Sequence, residues 1–108
     1  MISFWYTILY VTDVQKSLKF YQDIFELPLK FCTPENDYAE MITGDTTLAL
    51  GKHELIKSAL LEDYEKSSIE KQSFGIEIGF TTDDVDGLYN RALEYGATWV
   101  IADRKSVV

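Results

Sequence analysis

The stretch TILYVTDVQKSLKFYQDIFELPLKF, residues 7–31, places a strand, a helix and a second strand in immediate succession. Residues 7–11 are β-branched, aliphatic and aromatic, a composition that fits a half-buried pleated strand. Thr12 and Asp13 then supply short polar side chains able to accept hydrogen bonds from the free amides of a helix start. Val14, Ser17, Leu18, Tyr21, Ile24 and Phe25 recur at three- and four-residue spacing, while Lys16, Lys19, Gln22, Asp23 and Glu26 fill the remaining surface. Pro28 has no amide hydrogen and restrains Leu27, so the helix is predicted to stop near Glu26, with residues 29–33 as the next strand.

Working outward, residues 34–37 form a turn cluster and residues 38–43 a strand. Gly44-Asp45 is a tight turn of the kind that joins antiparallel neighbours, and residues 46–51 complete the hairpin. The first unit is therefore β-α-β-β-β. A weaker copy of its opening, EIGFTTDDVDGLYNRALEYGATWV, occupies residues 77–100; the shift that lays Asp13 on Asp83 also lays Leu18 on Leu88. Residues 76–82 alternate, with Ile76, Ile78 and Phe80 on one face and Glu77, Gly79 and Thr81 on the other, and are predicted to be a strand. Asp83 and Asp84 offer caps for a helix carrying Val85, Leu88, Tyr89, Ala92 and Leu93, which Gly96 can end. Residues 99–102 begin a further strand. Residues 52–73 are charged and mixed, with Leu55, Ile56, Ala59, Leu60 and Tyr64 as scattered apolar positions. They read as a linker with a helical turn or two, serving either as plain connection or as a lid over a cavity.

A chain of 108 residues suits a single domain. It divides into a first module at 1–53, a linker at 54–73 and a second module at 74–102 that is expected to lack its C-terminal hairpin. The tail DRKSVV, residues 103–108, can be back-translated to a widely used short-read sequencing adapter whose next codon in that frame is a stop. It is expected to be non-native, and resequencing of the locus decides the matter. Hydrophobic residues at 46% and charged residues at 26% are ordinary globular values. No apolar run is long enough to span a bilayer, and the N-terminus has no signal-peptide pattern. The single cysteine, Cys32, reads as a small hydrophobe in a strand, and a reducing cytoplasm is the expected location. The formal charge of −8 argues against nucleic acid and is easier to reconcile with a neutral, cationic or metal-bound ligand.

The ordered set YVTDVQKSLKFYQDIFELPLKF, YAEMITGDTTLALGKH and FGIEIGFTTDDVDGLYNRALEYGATWV resembles the vicinal oxygen chelate superfamily, which includes glyoxalase I, bleomycin and fosfomycin resistance proteins and extradiol dioxygenases. One departure is Glu26, where that family usually has a glycine after the helix. The resemblance implies an α+β fold of two βαβββ modules whose mixed sheets curl into a half-open cup with the helices outside, usually as a homodimer. In its metal-dependent members, His, Gln or Glu ligands stand on the cup face of the first and last strands of each module. Those positions fall here on Tyr6, on Ala49 and on Glu77, with the last in the absent hairpin. Tyr6 is a poor ligand and Ala49 is none, so no metal ligand set is assigned and no cofactor is expected. His53, the only histidine, reads as a loop residue at a strand end or, if the strand extends, as a cup-facing one.

Alternation turns Tyr6, Ile8 and Tyr10 inward from the first strand, and Glu77, Gly79 and Thr81 from the fifth, leaving Leu9 and Val11 under the helix. The candidate ligand-binding residues are Tyr6, Ile8, Tyr10, Ala49, Glu77 and Thr81. Flat aromatic faces with a carboxylate suit a planar or cationic organic molecule. Glu77 is the one candidate general base, a role that requires a raised pKa. Trp5 and Trp99 are assigned to packing or to a dimer contact. The expected function is metal-independent sequestration of an aromatic or cationic small molecule, as in the bleomycin resistance proteins. The alternatives are a glyoxalase-type lyase or dioxygenase using nickel, zinc, manganese or iron, and an inactive fragment. No membrane partner is expected.

Overall fold

The computed structural model describes residues 1–101 and 106–107, and the chain divides into two compact units, Met1–Tyr64 and Glu65–Val108. The fold is α+β. In the first unit the order is β1 (Tyr6–Val11), α1 (Val14–Phe25), β2 (Leu29–Cys32), β3 (Tyr38–Thr43), β4 (Thr46–Lys52) and α2 (His53–Leu60). The four strands form one open sheet in the order β1-β4-β3-β2. β4 runs antiparallel to β3 across the tight turn and parallel to β1 after the crossover through α1.

Local chemistry sets each boundary. The Asp13 carboxylate accepts the Lys16 amide at 3.1 Å and starts α1. At the other end Glu26 closes the helix in the left-handed region, at φ 55, a conformation that glycine adopts without strain. Gly44 takes φ +57 between the paired residues Thr43 and Thr46, so the two-residue hairpin needs no side chain forced into that region. Thr33 ties the β2–β3 turn: its amide donates to the Tyr38 carbonyl at 2.9 Å and its hydroxyl to Asp37 Oδ1 at 2.6 Å.

α1 packs against β4 and β3 through Val14, Leu18 and Ile24, over a sheet face that buries Ala39, Met41, Leu48 and Leu50. Each fully buried aliphatic side chain contributes about 1.5–3 kcal/mol, so this layer is the principal source of stability in the first unit. The region read as a linker starts with α2, about two turns long, and His53 is the first residue of that helix, not a strand end or loop.

In the second unit α3 (Val85–Glu94) is capped by Asp84, whose carboxylate accepts the Gly87 amide at 2.9 Å. Gly96, at φ +101, donates to the Leu93 carbonyl beyond the helix end. β5 (Trp99–Ile101) pairs antiparallel with β6 (Ser106–Val107). The predicted strand at 76–82 is not one: these residues lie outside both ladders, and alternation makes a strand only where a second segment pairs with it. The expectations for Ala102, Asp103, Arg104, Lys105 and Val108 lie outside the described residues.

Candidate functional site

The two faces of the four-stranded sheet are unlike. Toward α1 lie the buried aliphatics; on the opposite face the strand register sets three rows. Tyr6, Thr47 and Ile42 make the first; Ile8, Ala49, Glu40 and Phe31 the second; Tyr10, Gly51 and Tyr38 the third. Four of the residues that alternation turns into the cup, Tyr6, Ile8, Tyr10 and Ala49, thus share one face.

The first two rows are open at their ends. Tyr6, Ile42 and Phe31 expose 47%, 45% and 43% of their surface, an apolar exposure suited to contact with something other than water. Trp5 stands edge-on to Tyr6 at 5.2 Å and extends the aromatic surface past the strand end. Ala49 is fully buried and forms the floor.

Glu40 stands across from Ala49 on β3. Two residues along the same strand, and so on the same face, the Tyr38 hydroxyl donates to Glu40 Oε2 at 2.6 Å. Lys30 Nζ lies 3.7 Å from Glu40 Oε1. Burial, then the Glu40 carboxylate and, last, Tyr6 push the Tyr38 phenol above its ordinary pKa. Tyr38 therefore keeps its proton and remains a donor at neutral pH. The Phe31 ring is 5.8 Å from that of Tyr38.

The third row is covered. Tyr64 lays its ring 4.9 Å from that of Tyr10, and its hydroxyl meets Nδ1 of the buried His53 at 2.6 Å. Lys57 reaches over the Tyr64 ring at 5.7 Å while holding Asp63 Oδ1 at 2.9 Å. Burial is the largest influence on Tyr64 and raises its pKa. α2 and Tyr64 thus close the Tyr10 end of the face and leave the Tyr6 end open.

Glu77 and Thr81 belong to the second unit, in an exposed segment without ladder pairing. Sequence reading overlooked Glu40 and Tyr38, although the signal that singled out Glu77, a mid-strand carboxylate between apolar neighbours, is present in Ala39-Glu40-Met41 as well. Tyr64 was hidden by its place in a charged segment whose lateral packing has no periodic signature.

In metal-dependent relatives the ligand positions fall on Tyr6, Ala49 and Glu77 of this chain. Ala49 has no donor atom, and Glu40 is turned to Tyr38 and Lys30. Among the described residues no group of three His, Cys, Asp or Glu side chains is placed to hold a metal ion. No helix among them is long and apolar enough to cross a membrane.

A βαβββ unit with its helix on one side of an open mixed sheet and aromatic side chains on the other places the chain among α+β proteins built on that unit. Residues 4–106 match the family model of the glyoxalase-like domain. The chain is 32% identical over 88 residues to YraH of Bacillus subtilis, covering 82% of this chain and 68% of that protein. Among solved structures it is similar to SA1046 of S. aureus, with 26% identity, a TM-score of 0.64, and 93% of this chain and 74% of that one covered. A glyoxalase/bleomycin resistance protein/dioxygenase from Nocardioides shares the fold at 17% identity and a TM-score of 0.69, with 94% of this chain and 66% of that one covered. The chain belongs to the glyoxalase-like domain family of the vicinal oxygen chelate superfamily.

Proposed function

We propose that the protein binds and sequesters a planar aromatic or cationic small molecule on the open sheet face of the first unit, without a resident metal. The observation that carries this reading is the composition of that face: Tyr6, Phe31 and Ile42 are exposed around the small floor residue Ala49, at the position where metal-dependent relatives place a carboxylate. Aromatic faces supply stacking area at low entropic cost. Tyr10 lies beneath Tyr64 at the closed end of the same face.

Two measurements test the reading. Metal analysis of the purified protein is expected to give substoichiometric nickel, zinc, manganese and iron; one tightly held equivalent of any of them would favour the lyase or dioxygenase alternative and sink this one. Titration with bleomycin and with planar aromatic cations is expected to quench tryptophan fluorescence and shift the resonances of Tyr6 and Phe31, without substrate turnover. A homodimer in the cytoplasm is part of the proposal, with sedimentation velocity as the check on assembly.

A further inference from the structure

The face described above contains one carboxylate whose hydrogen-bonding capacity is only partly used. Glu40 Oε2 is held at 2.6 Å by the Tyr38 hydroxyl, a bond that fixes the carboxylate's direction. Oε1 has a looser neighbour: Lys30 Nζ is 3.7 Å away, beyond the range of about 2.7–2.9 Å for a charge-assisted hydrogen bond. The Lys30 side chain is 51% exposed and that of Glu40 20%, so the pair joins a solvated, flexible cation to a more deeply set, oriented anion. A long pair with one solvated partner holds weakly, and a better-placed cation can displace the lysine.

The surroundings favour a particular replacement. Ala49, directly across the ladder and fully buried, sets only a methyl group beside the carboxylate and offers it no competing polar atom. Phe31, in register with Glu40, and Tyr38, hydrogen-bonded to it, present aromatic rings on the same face. A cation there would meet a carboxylate oxygen and aromatic rings together, an arrangement that selects a delocalised or alkylated cation over a strongly hydrated ion.

We infer that Glu40, oriented by the Tyr38 hydroxyl, is the anionic anchor of this face and takes the amidinium, guanidinium or ammonium head of an aromatic ligand in place of Lys30. This rests on the reading of the face as a ligand-binding surface, but it goes further: it names a carboxylate on β3, a strand on which the resemblance marks no ligand position. Tyr38 is a positioning residue. Lys30 is the resident competitor.

The test uses the full chain with benzamidinium as the charged probe and benzamide as its neutral isostere, followed by NMR titration of Tyr6, Ile8 and Phe31. Glu40→Gln is expected to weaken benzamidinium by about tenfold and leave benzamide within about twofold, since only the charged probe loses a partner. Lys30→Gln is expected to tighten benzamidinium, and Tyr38→Phe to weaken it less than Glu40→Gln does. Amide spectra report that each variant is folded. If both probes bind the face and Glu40→Gln affects neither, the anchor is wrong while the ligand-binding face stands. If neither probe perturbs the face of the unsubstituted protein, both readings fall.

Discussion

Ile56 is seated on Gly51: a Cβ built on Gly51 would stand 2.7 Å from Ile56 Cδ1, 3.0 Å from its Cγ1 and 3.5 Å from Ile8 Cγ2. The backbone at Gly51 does not require glycine, so the absent side chain serves close approach of α2 to the sheet. Gly51→Ala is expected to destabilise the protein by about 1–3 kcal/mol in urea unfolding, the usual range for an overpacked core position. Ile56→Ala made alone should also destabilise by cavity formation, yet the double variant should be more stable than the two losses added together, because each change makes room for the other. Strict additivity would show that the contact is not the reason for the glycine.

Exposed left-handed residues offer gains in stability. Leu61 ends α2 at φ 58 and is 86% exposed, so its side chain gains little there while its backbone is held in a region unfavourable to L-residues. Leu61→Gly and Leu61→Asn are each expected to stabilise by up to about 1 kcal/mol. Glu26→Gly, which restores the residue usual in the family, should act in the same direction. A lower urea midpoint for Leu61→Gly would mean that the leucine makes a contact worth more than the strain.

The second unit contains a glycine that would ordinarily be improved by alanine. Gly87 lies in the first turn of α3, where glycine costs about 1 kcal/mol relative to alanine. A Cβ at that position, however, would run into the Asp84 carboxylate that caps the helix. Gly87→Ala is therefore expected to be close to neutral, its propensity gain offset by a displaced cap of about 1 kcal/mol. With Asp84→Ala already in place, the same substitution should stabilise by about 1 kcal/mol. A full gain in the unsubstituted protein would show that the cap tolerates the methyl group.

The same helix shows what could and could not be read from the chain. The repeat was visible, but its shift was placed at Asp13 on Asp83, whereas the cap that matches Asp13 is Asp84. Two adjacent aspartates are equivalent on paper; only the amide at Gly87 distinguishes them. In the first unit the strands, α1 and its caps were legible, because alternation, helical spacing and turn residues are local signals. The shared face of Tyr6, Ile8 and Tyr10 followed from that alternation, while Ala49 came from the family resemblance. Tyr38 with Glu40, two residues apart on β3, is within reach of the same alternation, whereas Tyr64 over Tyr10 depends on the path of the chain after α2, which no local pattern encodes. The segment at 76–82 failed for the complementary reason: its pattern was correct for a strand, but pairing is a property of two segments.

Tyr64 fastens the end of the first unit through His53 and Tyr10. Tyr64→Phe keeps the ring over Tyr10 and removes the hydroxyl at His53 Nδ1, with an expected loss of about 0.5–1.5 kcal/mol. Tyr64→Ala removes the ring contact too and should lose more. Both should increase amide hydrogen exchange in α2 more than in α1. Equal protection of α2 in the unsubstituted protein and Tyr64→Ala would count against Tyr64 as its fastener.

Alkaline unfolding should report the Tyr38–Glu40 pair. Tyr38 has a raised pKa, chiefly from burial and then from the Glu40 carboxylate, so the folded state holds its phenolic proton more tightly than the unfolded chain, which titrates near the ordinary value of 10.0. A raised pKa confers stability that is complete below the unfolded value and disappears as pH climbs beyond it. Tyr21, raised by burial, and Tyr64, raised chiefly by burial, act in the same direction, as does Lys57 through its hydrogen bond to Asp63. These groups should therefore leave the urea midpoint flat between about pH 7 and 9 and pull it down from about pH 10 upward. Tyr38→Phe, which has no proton to lose, should decline less steeply over that alkaline range, even if its midpoint at neutral pH is lower for want of the hydrogen bond. Parallel declines in the two proteins would show that the Tyr38 proton is held no more tightly in the fold than outside it.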